Sequence, residues 1–390
     1  MPISNKKRIL IFSTAYYPFV GGAEVAIKEI TDRCRDFEFD LITAKFDKNL
    51  PSFEKVGRVN VYRMGTGKKL LDKVFLPFTG AIKAWKLQND RNYFALWAVM
   101  VTFGSGAGYI FNILRKFAGK KKIPMILTLQ EGDSEAHLNY RWAGLIALSW
   151  KLALRRTDFL TGLSNFLLQR AIKNGYKGEM ALVPNGVDMN VFTKEINERA
   201  KEEVKNNLNK KPNDVFLVTW GRFAHKNAVD DIISALAYLP ANVNLLLIGK
   251  GELGSKLQKQ ARDLNVADRV KFLGFIPHED LPKYLSVCDI FIRPSRSEGF
   301  GNSFIEAMAA GLPVIATPVG GIPDFVDDKE TGIFCSPDNP QSIALAVMTL
   351  IREPLIRSHI TEKAKARVLE RYSWDHIALK MKAVFEKFLN

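Results

Sequence analysis

Two glutamates eight residues apart lie in a glycine-containing segment that follows an apolar run. Glu298 and Glu306 belong to the sequence EGFGNSFIE, just after a predicted strand at Ile290–Arg293. Glycines beside the start of a helix leave backbone N–H groups available to a diphosphate. A carboxylate accepts two hydroxyl hydrogen bonds, which suits the diol of a ribose or a sugar. Either glutamate alone is typical of an exposed acid, but the combination predicts a binding site.

Two cations follow another predicted strand. Val215–Trp220 leads into Gly221-Arg222-Phe223-Ala224-His225-Lys226. Arg222 and Lys226 can bind a diphosphate leaving group, and the alternative is a pair of surface cations. A metal ion could do the same work, but no Asp-x-Asp occurs in the chain. We therefore assign leaving-group stabilisation to Arg222, Lys226 and the helix N-terminus.

The elements that must position these residues alternate between apolar strands and helices, which predicts parallel sheets covered on both faces. One such array fills the first half of the chain. A charge-rich stretch, 193–213, follows as the expected connection between domains, and the pattern then restarts at Val215. The sequence thus predicts an α/β protein of two doubly wound domains. Sites in such sheets lie at the carboxyl ends of strands, so two facing domains would form one cleft.

Composition places the chain among ordinary globular enzymes, with 47% hydrophobic and 25% charged residues. Three cysteines argue against a disulfide framework and favour the cytosol. Residues 92–114 carry no charge, which is long enough to suggest a membrane span. Gly104, Gly106 and Gly108 at its centre favour a buried strand, a glycine-rich turn and a helix instead.

The excess positive charge is concentrated in the first half. Residues 1–190 contain 29 Lys and Arg against 16 Asp and Glu, whereas residues 191–390 contain 27 against 25. A solvated basic face is one explanation, and contact with an anionic membrane or a phosphate-bearing acceptor is the other. Lys68, Lys69 and Lys73 alternate with apolar residues, as at the edge of a membrane-binding face. No nucleic-acid motif accompanies the charge.

The segment EGFGNSFIE and the Gly-Arg-(x)3-Lys element together resemble the retaining GT-B family typified by sucrose synthases and bacterial mannosyltransferases, glycosyltransferase family 4. The resemblance extends over almost the whole chain. It implies that Glu306 holds the ribose hydroxyls and that Glu298 contacts the transferred sugar. The donor-binding residues that it implies are Gly221, Arg222, Lys226, Glu298, Gly299, Phe300, Gly301, Asn302, Ser303 and Glu306.

The first half resembles the same family less completely. Gly21 and Gly22 match a glycine loop that opens the first helix, and Asn185 begins a matching Asn-Gly-Val-Asp turn. Relatives commonly have His-Gly-x-Asp where this chain has Gln130-Glu131-Gly132-Asp133. Gln130 can hydrogen-bond a hydroxyl but cannot act as an acid or base, whereas Glu131 can. The expected catalytic residues are therefore Glu298, Arg222, Lys226 and Glu131, and the expected acceptor-binding residues are Gly21, Gly22, Gln130, Asp133 and Asn185.

We therefore expect a GT-B fold with two Rossmann-like domains facing across a cleft. The expected bounds are 1–188 for the acceptor domain, 189–372 for the nucleotide-sugar domain and 373–390 for a helix returning to the first domain. The expected function is metal-independent hexosyl transfer with retention, from a UDP- or GDP-hexose to a glycan or lipid-linked acceptor. We expect no cofactor, no nucleic acid, and a cytoplasmic location peripheral to the membrane. A nucleotide-sugar epimerase and a binding protein without transfer activity are the alternatives.

Overall fold

The computed structural model describes residues 7–132 and 145–389 of the 390-residue chain. The chain divides into two compact units. Unit 1 comprises Met1–Asn185 and Trp374–Asn390, and unit 2 comprises Gly186–Ser373. Each unit is built on its own mainly parallel β-sheet flanked by helices.

The strands are named in chain order. They are β1 (Lys7–Phe12), β2 (Phe37–Ala44), β3 (Phe53–Val56), β4 (Val59–Met64), β5 (Tyr93–Val99), β6 (Met125–Leu129), β7 (Phe159–Gly162), β8 (Glu179–Leu182), β9 (Val215–Trp220), β10 (Val243–Ile248), β11 (Val270–Gly274), β12 (Ile290–Arg293), β13 (Val314–Ala316) and β14 (Ile333–Phe334).

The α-helices of the described residues are named in the same way. They are α1 (Gly22–Arg33), α2 (Lys69–Leu87), α3 (Gly104–Phe117), α4 (Leu145–Arg156), α5 (Asn165–Lys173), α6 (Met189–Phe192), α7 (Glu198–Asn207), α8 (Val229–Ala235), α9 (Gly254–Asp263), α10 (Leu281–Leu285), α11 (Asn302–Ala309), α12 (Pro340–Arg352), α13 (Pro354–Arg371) and α14 (Trp374–Glu386).

The sheet of unit 1 has the strand order β3-β4-β2-β1-β5-β6-β7-β8 among the described residues. All neighbours pair in parallel except β3 and β4, which form an antiparallel edge. Central strands are covered on both faces, so they require unbroken apolar runs. β1 supplies such a run, and its residues from Ile9 to Phe12 are fully buried.

The last helix of the described chain belongs to unit 1. Apolar residues recur at helical spacing along α14 and form its buried face. Phe385 is fully buried, with its ring 5.7 Å from the ring of Phe37 and 5.3 Å from that of Trp97. At the helix start, Asp375 accepts a hydrogen bond of 2.6 Å from Arg33 of α1. α14 therefore completes the core of unit 1.

The sheet of unit 2 has the order β11-β10-β9-β12-β13-β14 among the described residues, with all neighbours parallel. The charge-rich stretch 193–213, predicted as the connection between domains, lies inside this unit. It holds α7, whose N-cap Asn197 accepts from the N–H of Ala200 at 2.9 Å. Its end is anchored by Lys210, which donates to Asp289 at 2.7 Å.

The uncharged segment 92–114 corrects one detail of the sequence prediction. It forms β5 and α3, but its three glycines lie within the helix rather than in a turn. A Cβ on Gly104 would lie 3.1 Å from the backbone of Ser13, and one on Gly106 would lie 3.0 Å from Pro77. The glycines therefore allow α3 to pack closely against its neighbours. Within the described residues, no helix has both the length and the apolar character needed to span a bilayer.

Candidate functional site

Two adjacent strands of unit 2 bring the predicted donor residues together. β9 pairs directly with β12, and the carboxyl ends of parallel strands meet at one edge of a sheet. β9 leads into Gly221 and β12 ends at Arg293. A Cβ on Gly221 would lie only 2.6 Å from a terminal guanidinium nitrogen of Arg293. The loop after β9 and the loop before α11 are therefore in contact.

Glycines let the loops after β9 and β10 lie backbone against backbone. Gly221 has a φ of +126°, and Gly249 after β10 has a φ of +131°. A Cβ on Gly249 would fall 2.0 Å from the carbonyl oxygen of Gly221. Gly251 approaches Phe223 in the same way, since a Cβ on Gly251 would lie 2.4 Å from the Phe223 carbonyl oxygen. Side chains at these positions would push the two loops apart.

The loop carrying Lys226 is fixed by an arginine from the neighbouring loop. The backbone N–H of Arg296 donates to the carbonyl of Lys226 at 2.8 Å. The Arg296 guanidinium donates at 2.8–3.0 Å to both carboxylate oxygens of Asp230 and at 2.8 Å to Asp231. Arg222 is exposed and Lys226 is half-buried. The backbone of Lys226 is therefore anchored by a residue that charge-assisted hydrogen bonds hold in place. The carbonyl of Arg222 accepts from the side-chain amide of Asn227 at 2.5 Å.

Burial determines the electrostatics of the aspartate next to this loop. Desolvation raises the pKa of Asp231 to about 6, and the repulsion of Asp230 adds to it. The charge of Arg296 opposes this rise. Burial lowers the pKa of Arg296, but its hydrogen bonds to Asp230 and Asp338 outweigh that and raise it overall. Arg296 thus remains a cation among three carboxylates.

Glu298 is held by the glycine pair that follows β13. The N–H of Gly321 donates to the carbonyl of Glu298 at 3.2 Å. Gly320 has a φ of +58°, and a Cβ there would lie 1.8 Å from the same carbonyl oxygen. The Glu298 carboxylate itself accepts from the N–H of Gly299 at 3.1 Å. The predicted sugar-contacting residue is therefore fixed through its backbone.

α11 begins directly after this loop. Its N-cap, Gly301, has a φ of +102°, and a Cβ there would lie 2.7 Å from the ring of Phe304. Phe300 is buried, with its ring 5.2 Å from that of Phe325. Because Gly301 has no side chain, it cannot cap the helix, and the first-turn N–H groups of Asn302 and Ser303 form an end suited to an anion.

The sequence suggested that Glu306 lies about two turns inside the helix. In the structure it lies one turn inside α11, and it is only 9% exposed. The indole N–H of Trp220 donates to one carboxylate oxygen at 3.0 Å. The Nε2 of His278 lies 3.0 Å from the other oxygen. Burial opposes a charged imidazole, but the hydrogen bond and charge of Glu306 outweigh it and raise the pKa of His278. Glu306 is therefore a preorganised acceptor.

A buried arginine, Arg293, lies beneath these groups. It donates to the hydroxyl of Ser303 at 2.5 Å and to the carbonyl of Trp220 at 3.0 Å. Its Nε has no hydrogen-bond partner among the described residues. Burial lowers the pKa of Arg293, while the charges of Glu298 and Glu306 act in the opposite direction. Arg293 thus ties the end of β9 to the first turn of α11.

The residues predicted to bind the acceptor lie in unit 1. Gly21 and Gly22 are exposed at the start of α1. Glu24, in the first turn of that helix, is buried, and desolvation raises its pKa against the effect of hydrogen bonds from backbone N–H groups. Asn185 is 3% exposed. Asp133 lies outside the described residues.

Glu131 follows β6 with its carboxylate directed at the backbone. One oxygen accepts from the N–H of Val101 and the other from the N–H of Gln130, the latter at 3.1 Å. The side chain is buried, whereas Gln130 is half-buried. A carboxylate with both oxygens on backbone amides is stabilised as an acceptor. The acid or base role predicted for Glu131 from the sequence stays a prediction.

The comparisons with known proteins agree with this geometry. Residues 200–367 match the family model described as "Glycosyl transferases group 1". The matched segment lies within unit 2 and contains every residue of the predicted donor site. The match supports a glycosyltransferase that uses a nucleotide sugar.

Similarity to two other proteins extends over more of the chain than this segment. An uncharacterized glycosyltransferase of Methanocaldococcus jannaschii is 29% identical over 95% of this chain and 96% of its own length. A GDP-mannose-dependent α-(1-6)-phosphatidylinositol monomannoside mannosyltransferase of Mycobacterium tuberculosis is 30% identical over 58% of this chain and 60% of its own.

Solved structures show the same fold. Sucrose-phosphate synthase from Thermosynechococcus elongatus superposes with a TM-score of 0.79 at 20% identity, covering 98% of this chain and 99% of that one. HepE of Anabaena, solved in complex with UDP and glucose, superposes with a TM-score of 0.77 at 21% identity, covering 98% and 100%. The predicted GT-B fold is therefore confirmed.

Sequence reasoning missed several contributors to the glycosyltransferase site. Trp220 and His278 contact Glu306, and Arg293 contacts Ser303. Trp220 and His278 lie 86 and 28 residues from Glu306 in sequence, so no local spacing marks them. Arg293 is the last residue of a predicted strand, and no motif distinguishes it from the rest of that strand. The pair Gly249 and Gly251, by contrast, left a signal in the sequence: glycines two residues apart directly after an apolar strand.

Proposed function

We propose that this glycosyltransferase moves a hexosyl group from a nucleotide-diphosphate sugar to a glycan or lipid-linked acceptor, with retention of configuration. The observation that carries the proposal is the buried carboxylate of Glu306, held by Trp220 and His278 beside the N-terminus of α11. Each carboxylate oxygen has two lone-pair directions. One donor on each oxygen therefore leaves capacity for the two hydroxyls of a ribose.

The diphosphate is proposed to bind between Arg222, Lys226 and the first turn of α11. An anion at that helix end meets backbone N–H groups and the positive end of the helix dipole. Two cations on a fixed loop can stabilise the charge that develops on a diphosphate leaving group. The proposal therefore includes metal-independent transfer, and we expect activity to persist in excess chelator. Loss of transfer that magnesium or manganese restores would contradict this part.

The reacting sugar is proposed to lie against Glu298, Gly299 and Phe300. Glu298 is the carboxylate fixed nearest to the helix mouth, through its bonded carbonyl. It would accept hydrogen bonds from hydroxyls of the transferred hexose. The anomeric configuration is retained if the leaving diphosphate directs the acceptor to the same face of the sugar ring from which the diphosphate departs.

Unit 1 is proposed to bind the acceptor through Gly21, Gly22, Gln130, Asp133 and Asn185. Gln130 supplies an amide for a hydroxyl group, and Glu131 holds the backbone that carries it. The Mycobacterium relative acts, by its name, on phosphatidylinositol monomannoside with GDP-mannose, and HepE has been solved with UDP-glucose. Both support a UDP- or GDP-hexose donor, and the former supports a lipid-linked acceptor and a cytoplasmic enzyme peripheral to the membrane.

The test of the proposal is Glu306→Ala, measured by titration calorimetry with UDP and GDP and their hexose derivatives. Losing a charged acceptor of two hydroxyl groups costs about 1.5–3 kcal/mol, or roughly 10- to 100-fold in affinity. Glu362→Ala, an exposed glutamate on α13, is the matched control and should bind normally. Equal affinities for wild type and Glu306→Ala would contradict the assignment.

Turnover separates the proposal from its alternatives. A glycosyltransferase consumes the donor rapidly only when an acceptor is present. An epimerase converts the nucleotide sugar without any acceptor, and a binding protein leaves it unchanged in both conditions. Donor consumption with and without acceptor glycans therefore distinguishes the three.

A further inference from the structure

Helix α2 of unit 1 carries two apolar faces. One face packs into the unit, with Leu76, Gly80, Ala81 and Ala84 buried. The other is open to solvent, and its five large apolar side chains are each 48–59% exposed. We call this open side the α2 face, and it consists of Leu70, Leu71, Phe75, Phe78 and Ile82. A contiguous exposed apolar stripe marks an interaction surface more often than scattered residues do.

The α2 face continues onto the end of α3. Arg115 of α3 donates to Gln88 just beyond the end of α2, and Lys120 lies 5.0 Å from the ring centroid of Trp85. The two helices therefore end side by side. Phe117, in the last turn of α3, is 87% exposed. The apolar surface thus extends past the end of α2.

The charge around this surface is mainly positive. Residues 68–122 contain eleven Lys and Arg but only two acids, Asp72 and Asp90. Asp72 is buried and accepts from the N–H groups of Thr66 and Gly67 at 2.9 and 2.8 Å, so it belongs to the interior. The exposed lysines of this stretch are Lys68, Lys69, Lys86, Lys116, Lys120, Lys121 and Lys122.

We propose that the α2 face docks unit 1 on an anionic lipid bilayer. The apolar side chains enter the interface while the lysines at its edges pair with lipid headgroups. Nine of the eleven basic residues are lysines, and protein–protein interfaces are depleted in lysine. The composition thus favours a membrane over an acidic protein. The inference rests on the proposed function and deepens it, because docking on the bilayer would bring unit 1 to a lipid-linked acceptor.

The first test changes the charges. Wild-type protein should cosediment with vesicles of equal parts phosphatidylglycerol and phosphatidylcholine at low salt, and much less with phosphatidylcholine alone. Each lysine near an anionic surface contributes about fivefold in partitioning. K69E/K86E/K116E should therefore bind at least about a hundredfold more weakly. The control K177E/K194E/K256E alters the net charge equally at exposed sites elsewhere and should retain most of the binding.

The second test changes the apolar residues. L71S/F75S/F78S should also release the protein from the mixed vesicles. L355S/L369S/L379S, which removes three exposed leucines outside the α2 face, should not. Equal binding to both kinds of vesicle, no binding at low salt, or equal losses in target and control variants would overturn the proposal. So would a dimer in lipid-free solution that L71S/F75S/F78S dissociates.

These vesicles contain no acceptor, so the result does not depend on transfer. Nucleotide binding, measured without lipid on K69E/K86E/K116E and L71S/F75S/F78S, should match wild type because these substitutions lie in unit 1 and Glu306 lies in unit 2. If the wild-type protein does not bind nucleotides or nucleotide sugars, only the proposed function is contradicted. If the wild-type protein does not bind the mixed vesicles, only the docking surface is contradicted.

Discussion

The loops of unit 2 around Glu298 and the loop of unit 1 after β6 are both fixed in place, but by different means. In unit 2, glycines allow one backbone to lie against another, as at Gly320 beside Glu298 and at Gly249 beside Gly221. After β6, one buried carboxylate, that of Glu131, binds the N–H groups of Val101 and Gln130. The first means depends on the absence of side chains, whereas the second depends on a single carboxyl side chain.

The largest expected effect breaks the backbone contact in unit 2. Gly320→Ala would add overpacking, about 1–3 kcal/mol, to left-handed strain, about 1–2 kcal/mol. Gly311→Ala is the matched control, since its φ is +78° but no atom lies within 4 Å of the added Cβ. Urea unfolding should show a loss of about 2–5 kcal/mol for the first and about 1–2 kcal/mol for the second. Similar losses of unfolding free energy in the two variants would mean that the close contact between Gly320 and Glu298 contributes nothing to stability.

The next effect tests the fixed loop in unit 1. Glu131→Gln replaces one accepting oxygen with an NH₂ group that faces a backbone N–H, which should cost about 1–3 kcal/mol of stability. Nucleotide affinity should stay unchanged, because Glu131 and Glu306 lie in different units. If the variant keeps normal stability but its transfer rate falls sharply and its pH–rate profile loses one limb, the result would support the acid or base role of Glu131.

The smallest effect concerns pH and the carboxylate of Glu306. Because the folded pKa of His278 is raised above its unfolded value of 6.5, the protonated imidazole stabilises the folded protein, fully so below pH 6.5. This contribution to the free energy of unfolding is lost as the pH rises through the folded pKa. His278→Gln keeps a donor to Glu306 without the charge. Thermal unfolding should therefore separate wild type from this variant most below pH 6.5 and least at alkaline pH. His359→Gln, at a half-exposed histidine, provides the control, and a separation that grows with pH would contradict the assignment.

The difference between the two regions also explains what the sequence could predict. The parallel sheets followed from buried apolar runs such as Ile9–Phe12, and the glycines near Glu298 and Gly221 pointed to tight loops. The partners of Glu306 could not be predicted, because Trp220 lies 86 residues away in sequence and His278 28 residues away. Spacing along the chain carries no trace of such pairs. The two faces of α2 were likewise ambiguous, since apolar residues at helical spacing fit a core or an open surface equally well.

The return of α14 to unit 1 has a consequence for the order in which the protein can assemble on the ribosome. The whole of unit 2 is translated between Asn185 and Trp374. The aromatic cluster of Phe37, Trp97 and Phe385 cannot close until α14 has emerged. Unit 2 is a continuous segment and can finish folding first. The half of the molecule that is synthesised earliest therefore waits longest with an open core, and this makes it the half that most needs protection by chaperones during synthesis.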